Sequence, residues 1–345
     1  MKKLLVLVVV SLLALASLTG CAAPKTYKFG TGSYTSVSGR AATAEAAGRV
    51  QVTSIYAAVL LDDAGKIVYV DIDAAQNQGT FDAAGAVVAA AAAPTKTEKG
   101  ADYGMKGNSA IGKEWFEQMA ALEAYFVGKT IAEVKATPVE QKDATHPAVP
   151  TGEDLKTSVS ISIEGYVAAV EKAVANAVEV KGVAKVGVGS VASVSGRAAK
   201  DAVAATATTA EVAAVVGRIQ TNVTFVGVAL DKDGKVLVSM LDVAQNQGTF
   251  DTKGAILKAE AAGTKKEKGA DYGMVKASAI GKEWFEQAAA LEAYFVGKTA
   301  ADIEATEMDA EGVAVAEDLK TSISVGIDEY LAAYAKAFAN LVDVK

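Results

Sequence analysis

Much of this chain is written twice, and the repetition constrains its fold more than any other feature. Ala75 to Asp82 recurs as Ala244 to Asp251, Glu98 to Met105 as Glu267 to Met274, Ser109 to Gln118 as Ser278 to Gln287, and Ala121 to Thr130 as Ala290 to Thr299, always at an offset of 169. A period this long describes two similar domains of about 150 residues, each able to bury a core, rather than a solenoid of short repeats. Between Asp154 and Asp318 the offset falls to 164. The five missing residues come from the loop that holds His146 and Pro150, so neither belongs to anything the two domains share.

Within each copy the pattern is α+β, a small antiparallel sheet packed with helices. Val50 to Leu61 is rich in strand formers, Asp63 to Lys66 is a turn, and Ile67 to Ile72 is a second strand. Ile219 to Leu230, Asp233-Gly234 and Val236 to Leu241 repeat this meander. Gly112 to Gly128 is a helix, with Trp115, Met119, Leu122 and Phe126 on one face. Trp115 and its counterpart Trp284 could stack on a ring cofactor, but on such a stripe they read as core. Thr130 and Glu133 form a capping box that opens a short further helix. Gly165 to Val178 and Asp328 to Val342 are alanine-rich amphipathic helices.

The chain begins as an export signal: Lys2 and Lys3, an apolar run from Leu4 to Leu18, then Leu18-Thr19-Gly20-Cys21. The run is too short to be a comfortable membrane span. Its ending is similar to a lipobox, which implies lipidation of Cys21 and an anchor on the outer face of the cell membrane. Residues 1–20 are then signal, 21–34 a Gly-containing tether, 35–180 the first domain and 187–345 the second; a Ser-Gly-Arg element opens each domain at Ser38 and Ser195.

Removal of the signal takes two lysines from 34 basic residues and leaves 32 against 41 acidic ones, a formal charge near −9. A nucleic-acid partner does not fit that balance. Cys21 is the one cysteine and His146 the one histidine. Disulfide, iron–sulfur, thiolate-zinc and Cys-x-x-Cys-His haem chemistry within one chain are excluded, and His146 reads as a loop residue.

One stretch remains that can carry chemistry. Glu153-Asp154-Leu155-Lys156-Thr157-Ser158-Val159-Ser160 returns as Glu317-Asp318-Leu319-Lys320-Thr321-Ser322-Ile323-Ser324. If Val159, Ile163, Tyr166 and Val170 define a helix face, the hydroxyls lie in its first turn, where free N–H groups favour a phosphate. The alternation Val159, Ile161, Ile163 equally permits a strand, and Thr157 alone could be a plain helix cap.

Asp154 to Ser160 and Asp318 to Ser324 resemble the Asp-x-x-Ser/Thr-Gly-Ala-Thr/Ser motif of the FMN-binding domain family, in which a flavin transferase moves FMN from FAD onto a hydroxyl as a phosphoester. With the duplication, the lipobox and the Lys-Glu-Trp-Phe helix, the chain is similar to the two-domain flavin lipoproteins of extracellular electron transfer. The resemblance implies covalent FMN, two per chain, on Ser160 and Ser324. It implies Asp154 and Asp318 as recognition residues for the transferase. The usual Gly-Ala is Ser158-Val159 here and Ser322-Ile323 in the second copy, so Thr157 and Thr321 stay as second candidates for the acceptor. The implied partners are the flavin transferase, a membrane quinol-linked electron donor and an extracellular electron acceptor.

Two further repeated elements are candidates for a pocket. Gln76 and Asn77, with Gln245 and Asn246, could offer amide hydrogen bonds to a ring edge or simply stabilise a turn. Tyr103 and Met105, with Tyr272 and Met274, could lie against a flavin ring or be loop residues packed on the sheet. The rival functions are a duplicated surface lipoprotein that binds a ligand or protein without a redox cofactor, and a flavin-dependent reductase with a defined substrate.

Overall fold

The computed structural model describes residues 24–204 and 211–344; the signal and Cys21 lie outside them. The first half consists of β1 (Thr26–Arg40), β2 (Gly48–Leu61), β3 (Ile67–Phe81), β4 (Val87–Ala91), α1 (Lys96–Lys99), α2 (Trp115–Phe126), α3 (Ile131–Lys135), a two-residue pair β5 (Val139–Glu140) and β6 (Val149–Pro150), α4 (Glu164–Ala175) and β7 (Val178–Lys181). The second half repeats it as β8 (Lys185–Arg197), β9 (Gly217–Leu230), β10 (Val236–Phe250), β11 (Ile256–Ala259), α5 (Lys265–Lys268), α6 (Trp284–Phe295), α7 (Ala300–Glu304), α8 (Asp328–Ala339) and β12 (Val342–Asp343). Two five-stranded antiparallel sheets result, in the orders β4-β3-β2-β1-β7 and β11-β10-β9-β8-β12. The fold is α+β, with two similar domains.

Alternation along the central strands builds the layers. In β2, Ile55, Ala57, Val59 and Leu61 pack with Trp115, Met119, Leu122 and Phe126 of α2 and with Tyr166, Ala169, Val170 and Ala173 of α4. Tyr56, Ala58 and Leu60 point the opposite way, into a core that also contains Val223, Phe225 and Ala229 of β9. Because successive side chains of a strand leave opposite faces, each sheet is covered by its own helices outside and by the other sheet inside. The expected Trp115 stripe is buried throughout, and the Thr130 capping box closes through Glu133.

Equivalent residues meet across the inner interface. The Phe81 and Phe250 rings stack with centroids 3.8 Å apart and planes 2° from parallel, and Tyr56 and Phe225 stack at 6.0 Å. The Ala42 N–H donates to the Gly254 carbonyl and the Ala199 N–H to the Gly85 carbonyl, both at 2.9 Å. Lys336 pairs with Glu98, and Lys172 with Glu267, both at 2.5 Å. Such reciprocity is the signature of a two-fold, isologous contact, here within one chain. It breaks at Tyr56, whose hydroxyl accepts from Ser190 at 2.9 Å and donates to Asp73 at 3.1 Å. Phe225 offers no such hydroxyl, and the buried Ser33, counterpart of Ser190, has no partner for its Oγ among the described residues.

Three expectations are corrected. Residues 26–34 are not tether but the first half of β1, since Tyr27 and Phe29 are buried in the inner core. Gly30 and Gly32 serve close approach rather than flexibility: a Cβ at either would lie 2.1 and 2.3 Å from the α4 backbone at Ala173, and Gly187 and Gly189 stand the same way against Ala337. The Ser-Gly-Arg elements end β1 and β8 instead of opening the domains. Gln76 and Asn77 with their counterparts do not sit in a turn beyond the strand Ile67 to Ile72 but lie within that strand, because β3 and β10 run on to Phe81 and Phe250.

Truncating one ring of the central stack leaves a cavity that neither sheet can close alone. Phe81→Ala and Phe250→Ala should each lower unfolding stability by about 3–5 kcal/mol in urea titrations. Because the rings share one contact, the double variant should cost less than the sum of the two; strict additivity would argue against the stack.

Candidate functional site

Ser160 and Ser324 lie at the end of a tight turn that the core holds in place. The Leu155 carbonyl accepts from the Ser158 and Val159 amides, both at 2.8 Å, and Leu155, Val159 and Ile163 are buried in the outer core. Helix α4 starts only at Glu164. The expectation that the hydroxyls occupy the first helical turn is therefore corrected, and 159–163 is not a strand either. Alternating Val159, Ile161 and Ile163 anchor a connecting segment instead.

The half-buried Ser160 meets a polar network from α2. Its N–H donates to Gln118 Oε1 at 2.8 Å, its Oγ–H reaches the same oxygen at 3.3 Å, and its Oγ lies 3.4 Å from Ser109 Oγ. The Gln118 amide donates to Ser109 Oγ at 3.1 Å and to the Lys113 carbonyl at 3.2 Å. Ser324 repeats this with Gln287 Oε1 at 2.7 and 3.3 Å and Ser278 Oγ at 3.3 Å. Thr157, Thr321, Asp154 and Asp318 are exposed on the turn, outside these networks. The structure thus separates the two acceptor candidates: the serines are held, the threonines are displayed.

Beside this network lies a partly exposed cluster of side chains, the recess, that joins Tyr103 to Gln76 and Tyr272 to Gln245. Tyr103 donates its hydroxyl to Gln76 Oε1 at 3.2 Å, and Tyr272 donates to Gln245 Oε1 at 2.9 Å. The loop carrying Tyr103 and Met105 is pinned by Glu114, which caps α2 and accepts from the Met105 and Lys106 amides at 2.8 and 3.1 Å. Glu283 does the same for Met274 and Val275. Met105 Sδ lies 3.9 Å from the Gln118 amide, which connects the recess to Ser160. Asn77 and Asn246 each accept from a backbone amide, of Ala93 and Ala262, yet the buried Nδ2 of both has no partner among the described residues. Gln245, Asn246 and Lys268 line a cavity of about 230 Å³. A larger one, about 450 Å³, lies between the domains against Asp242, Lys266 and Glu292, away from either serine.

Lys96 and Lys265 escaped the sequence reading and lie beside the tyrosines of this cluster. The Lys96 ammonium is 5.0 Å from the Tyr103 ring centre and 5.3 Å from that of Trp115; Lys265 is 5.1 Å from both Tyr272 and Trp284. Burial pushes each lysine down to about 8, with Lys99 or Lys268 adding repulsion, and Asp73 or Asp242 with Glu329 only partly opposing it. Gln118 and Ser109 were missed as well. The available signal was the repetition itself: Thr95-Lys96 and Thr264-Lys265 stand just outside one repeated block, and Ser109 to Gln118 is another.

The two copies differ at one edge of the sheet. In the first domain, Asp71, Asp73 and Glu123 gather near β3. Burial, with the neighbouring Asp73 charge, raises Asp71 to about 6, and burial with the Asp71 charge raises Glu123 to about 8. In the second, Met240 replaces Asp71 and Lys266 replaces Thr97, so that Glu292 pairs with Lys266 at 2.6 Å. Among the described residues, no group of three or more His, Cys, Asp or Glu is placed to hold a metal ion. No helix there is long and apolar enough to cross a membrane.

No protein-family model matches the chain, and no solved structure matches it. Over 41 residues it is 58% identical to the chlorophenol reductase of Desulfitobacterium hafniense. That stretch is 12% of this chain and 12% of the reductase.

The acids of the first domain give stability a pH dependence of definite sign. Their native pKa values lie above ordinary carboxylate values near 4, so the folded state holds more protons than the unfolded one, and stability falls as pH rises toward about 8. The variant D71M/T97K, which copies the second domain's residues, should reduce that fall when urea midpoints are compared at pH 5, 6.5 and 8, leaving the part carried by Asp73, Asp242 and Glu292, which burial also raises. An unchanged slope would remove these acids as its cause.

Proposed function

We propose that this chain is a lipid-anchored, extracytoplasmic flavoprotein that carries one covalent FMN on Ser160 and another on Ser324. It takes electrons from a membrane quinol-linked donor and relays them to extracellular acceptors. The observation that carries the reading is the repeated pairing of a half-buried serine, held by Gln118 or Gln287, with an adjoining recess that contains an unpaired lysine and a tyrosine. The residues fit the group on chemical grounds. Each recess supplies a cationic donor and a hydroxyl donor.

Bound FMN would supply reversible one- and two-electron chemistry that none of the side chains here provides. The chain's own residues do the rest. Gln118 and Gln287 fix the serine backbone and hydroxyl, Ser109 and Ser278 hold the amide in that orientation, and Glu114 and Glu283 lock the tyrosine loop. Thr157, Asp154 and their counterparts are exposed, where a transferase can reach them. A phosphoester keeps the cofactor from being lost by dilution outside the cell. The stretch shared with chlorophenol reductase is too short to bring a substrate to this chain.

Intact mass spectrometry after co-expression with a flavin transferase tests the reading. The wild type should gain two FMN, Ser160→Ala and Ser324→Ala one each, and the double variant none. No gain in the wild type would favour a lipoprotein that works without a cofactor, whereas loss only in Thr157→Ala and Thr321→Ala would move the attachment to the threonines.

A further inference from the structure

The ammonium groups of Lys96 and Lys265 have no direct ion-pair partner among the described residues; Asp73, and Asp242 with Glu329, act on them only at longer range. Lys96 is 9% exposed, and neither it nor Lys265 forms an ion pair or hydrogen bond through its ammonium among the described residues; the rings of Tyr103 and Trp115, or Tyr272 and Trp284, are the contacts found. Three lysines nearby are paired: Lys266 with Glu292, Lys336 with Glu98, Lys172 with Glu267. The same lysine forms no such direct pair in either domain.

Withdrawing an ammonium from water without a direct counter-ion is costly, and ring faces recover only part of that cost. An arrangement kept twice at that cost fits a recess whose counter-charge arrives with its ligand. Tyr103 and Met105, and likewise Tyr272 and Met274, are half-buried beside the lysine and present surface to a ring. Trp115 and Trp284, 1% exposed, form the floor and are not free to stack on a ligand.

We propose that the Lys96 and Lys265 ammonium groups are the counter-charges for the reduced flavin ring of their own domain, and so set its reduction potential. The inference rests on the flavoprotein reading above. The quinol-class donor gives up two electrons and two protons; the ring takes both electrons and one proton, the other proton goes to water, and the ring is left with one negative charge. The ammonium stabilises that charged form and not the neutral oxidised one, so it favours reduction.

The test uses the full chain co-expressed with a flavin transferase, in the Ser324→Ala background for the first domain and the Ser160→Ala background for the second. Intact mass first establishes that each parent carries one FMN; a parent without it overturns the flavoprotein reading itself, and this inference with it. Spectroelectrochemical titration then compares each parent with K96Q or K265Q. The expected result is that the Gln variant keeps its FMN and its reduction equilibrium shifts toward the oxidised form by about tenfold, or roughly 30 mV for a two-electron couple, while K96R and K265R stay near the parent. Loaded Gln variants with the parental potential would overturn the proposal. So would Gln variants that fold by circular dichroism but are no longer loaded while the Arg variants are: the lysine would then serve the phosphate or its attachment rather than the ring.

Discussion

The rest of the structure depends on the face-to-face packing of the two sheets about Phe81 and Phe250. Each five-stranded sheet has two apolar faces, and helices from its own half cover only one of them. The second sheet supplies the other cover, so each domain completes its partner's core. Burying a side chain such as phenylalanine contributes about 1.5–3 kcal/mol, and Phe29, Phe81, Phe225 and Phe250 are all essentially inaccessible. The reciprocal ion pairs Glu98–Lys336 and Lys172–Glu267 are roughly 35–42% exposed, a setting in which such pairs contribute at most about 1 kcal/mol. The aromatic interface therefore holds the domains together, and the ion pairs orient what it holds.

That orientation reaches the candidate sites. Glu98 and Glu267 belong to the four-residue helices α1 and α5, which also carry Lys96 and Lys265. Asp73 and Asp242 accept from amides in the same helices, of Thr97 and Lys266 at 3.1 Å. Each recess is thus braced by its own sheet through an aspartate and by the other domain's last helix through an ion pair. The bracing is symmetric but the charges around it are not: Lys266 pairs with Glu292 in one domain, while Glu123 in the counterpart accepts from the Ile72 amide and faces the charges of Asp71 and Asp73.

Much of the fold was legible in the sequence, for identifiable reasons. The duplication marked two domains, the Trp115 stripe marked a helix and its buried face, and Thr130 with Glu133 marked a cap. The inner interface was hidden because β2 and β9 are apolar on both faces: such strands read as continuous apolar runs and do not reveal what covers the second face. Gly30 and Gly32 read as flexible because sequence shows a missing side chain without the α4 backbone that requires it to be missing. In the site, the grouping of Tyr103 with Gln76 joins residues flagged separately. Lys96 was invisible because a lysine between threonines looks solvated until the fold places two rings beneath it. Ser160 was legible as a candidate, but its setting was not, since its partner Gln118 lies 42 residues away.

The central claim is that the two repeated serines carry the cofactor. Tandem mass spectrometry of proteolytic peptides from the transferase-loaded chain tests it most directly. The account predicts fragment ions that place FMN on Ser160 in the peptide spanning Asp154 to Ser162, and on Ser324 in the peptide spanning Asp318 to Ser324. FMN found on any other residue, or both peptides recovered wholly unmodified, would contradict it.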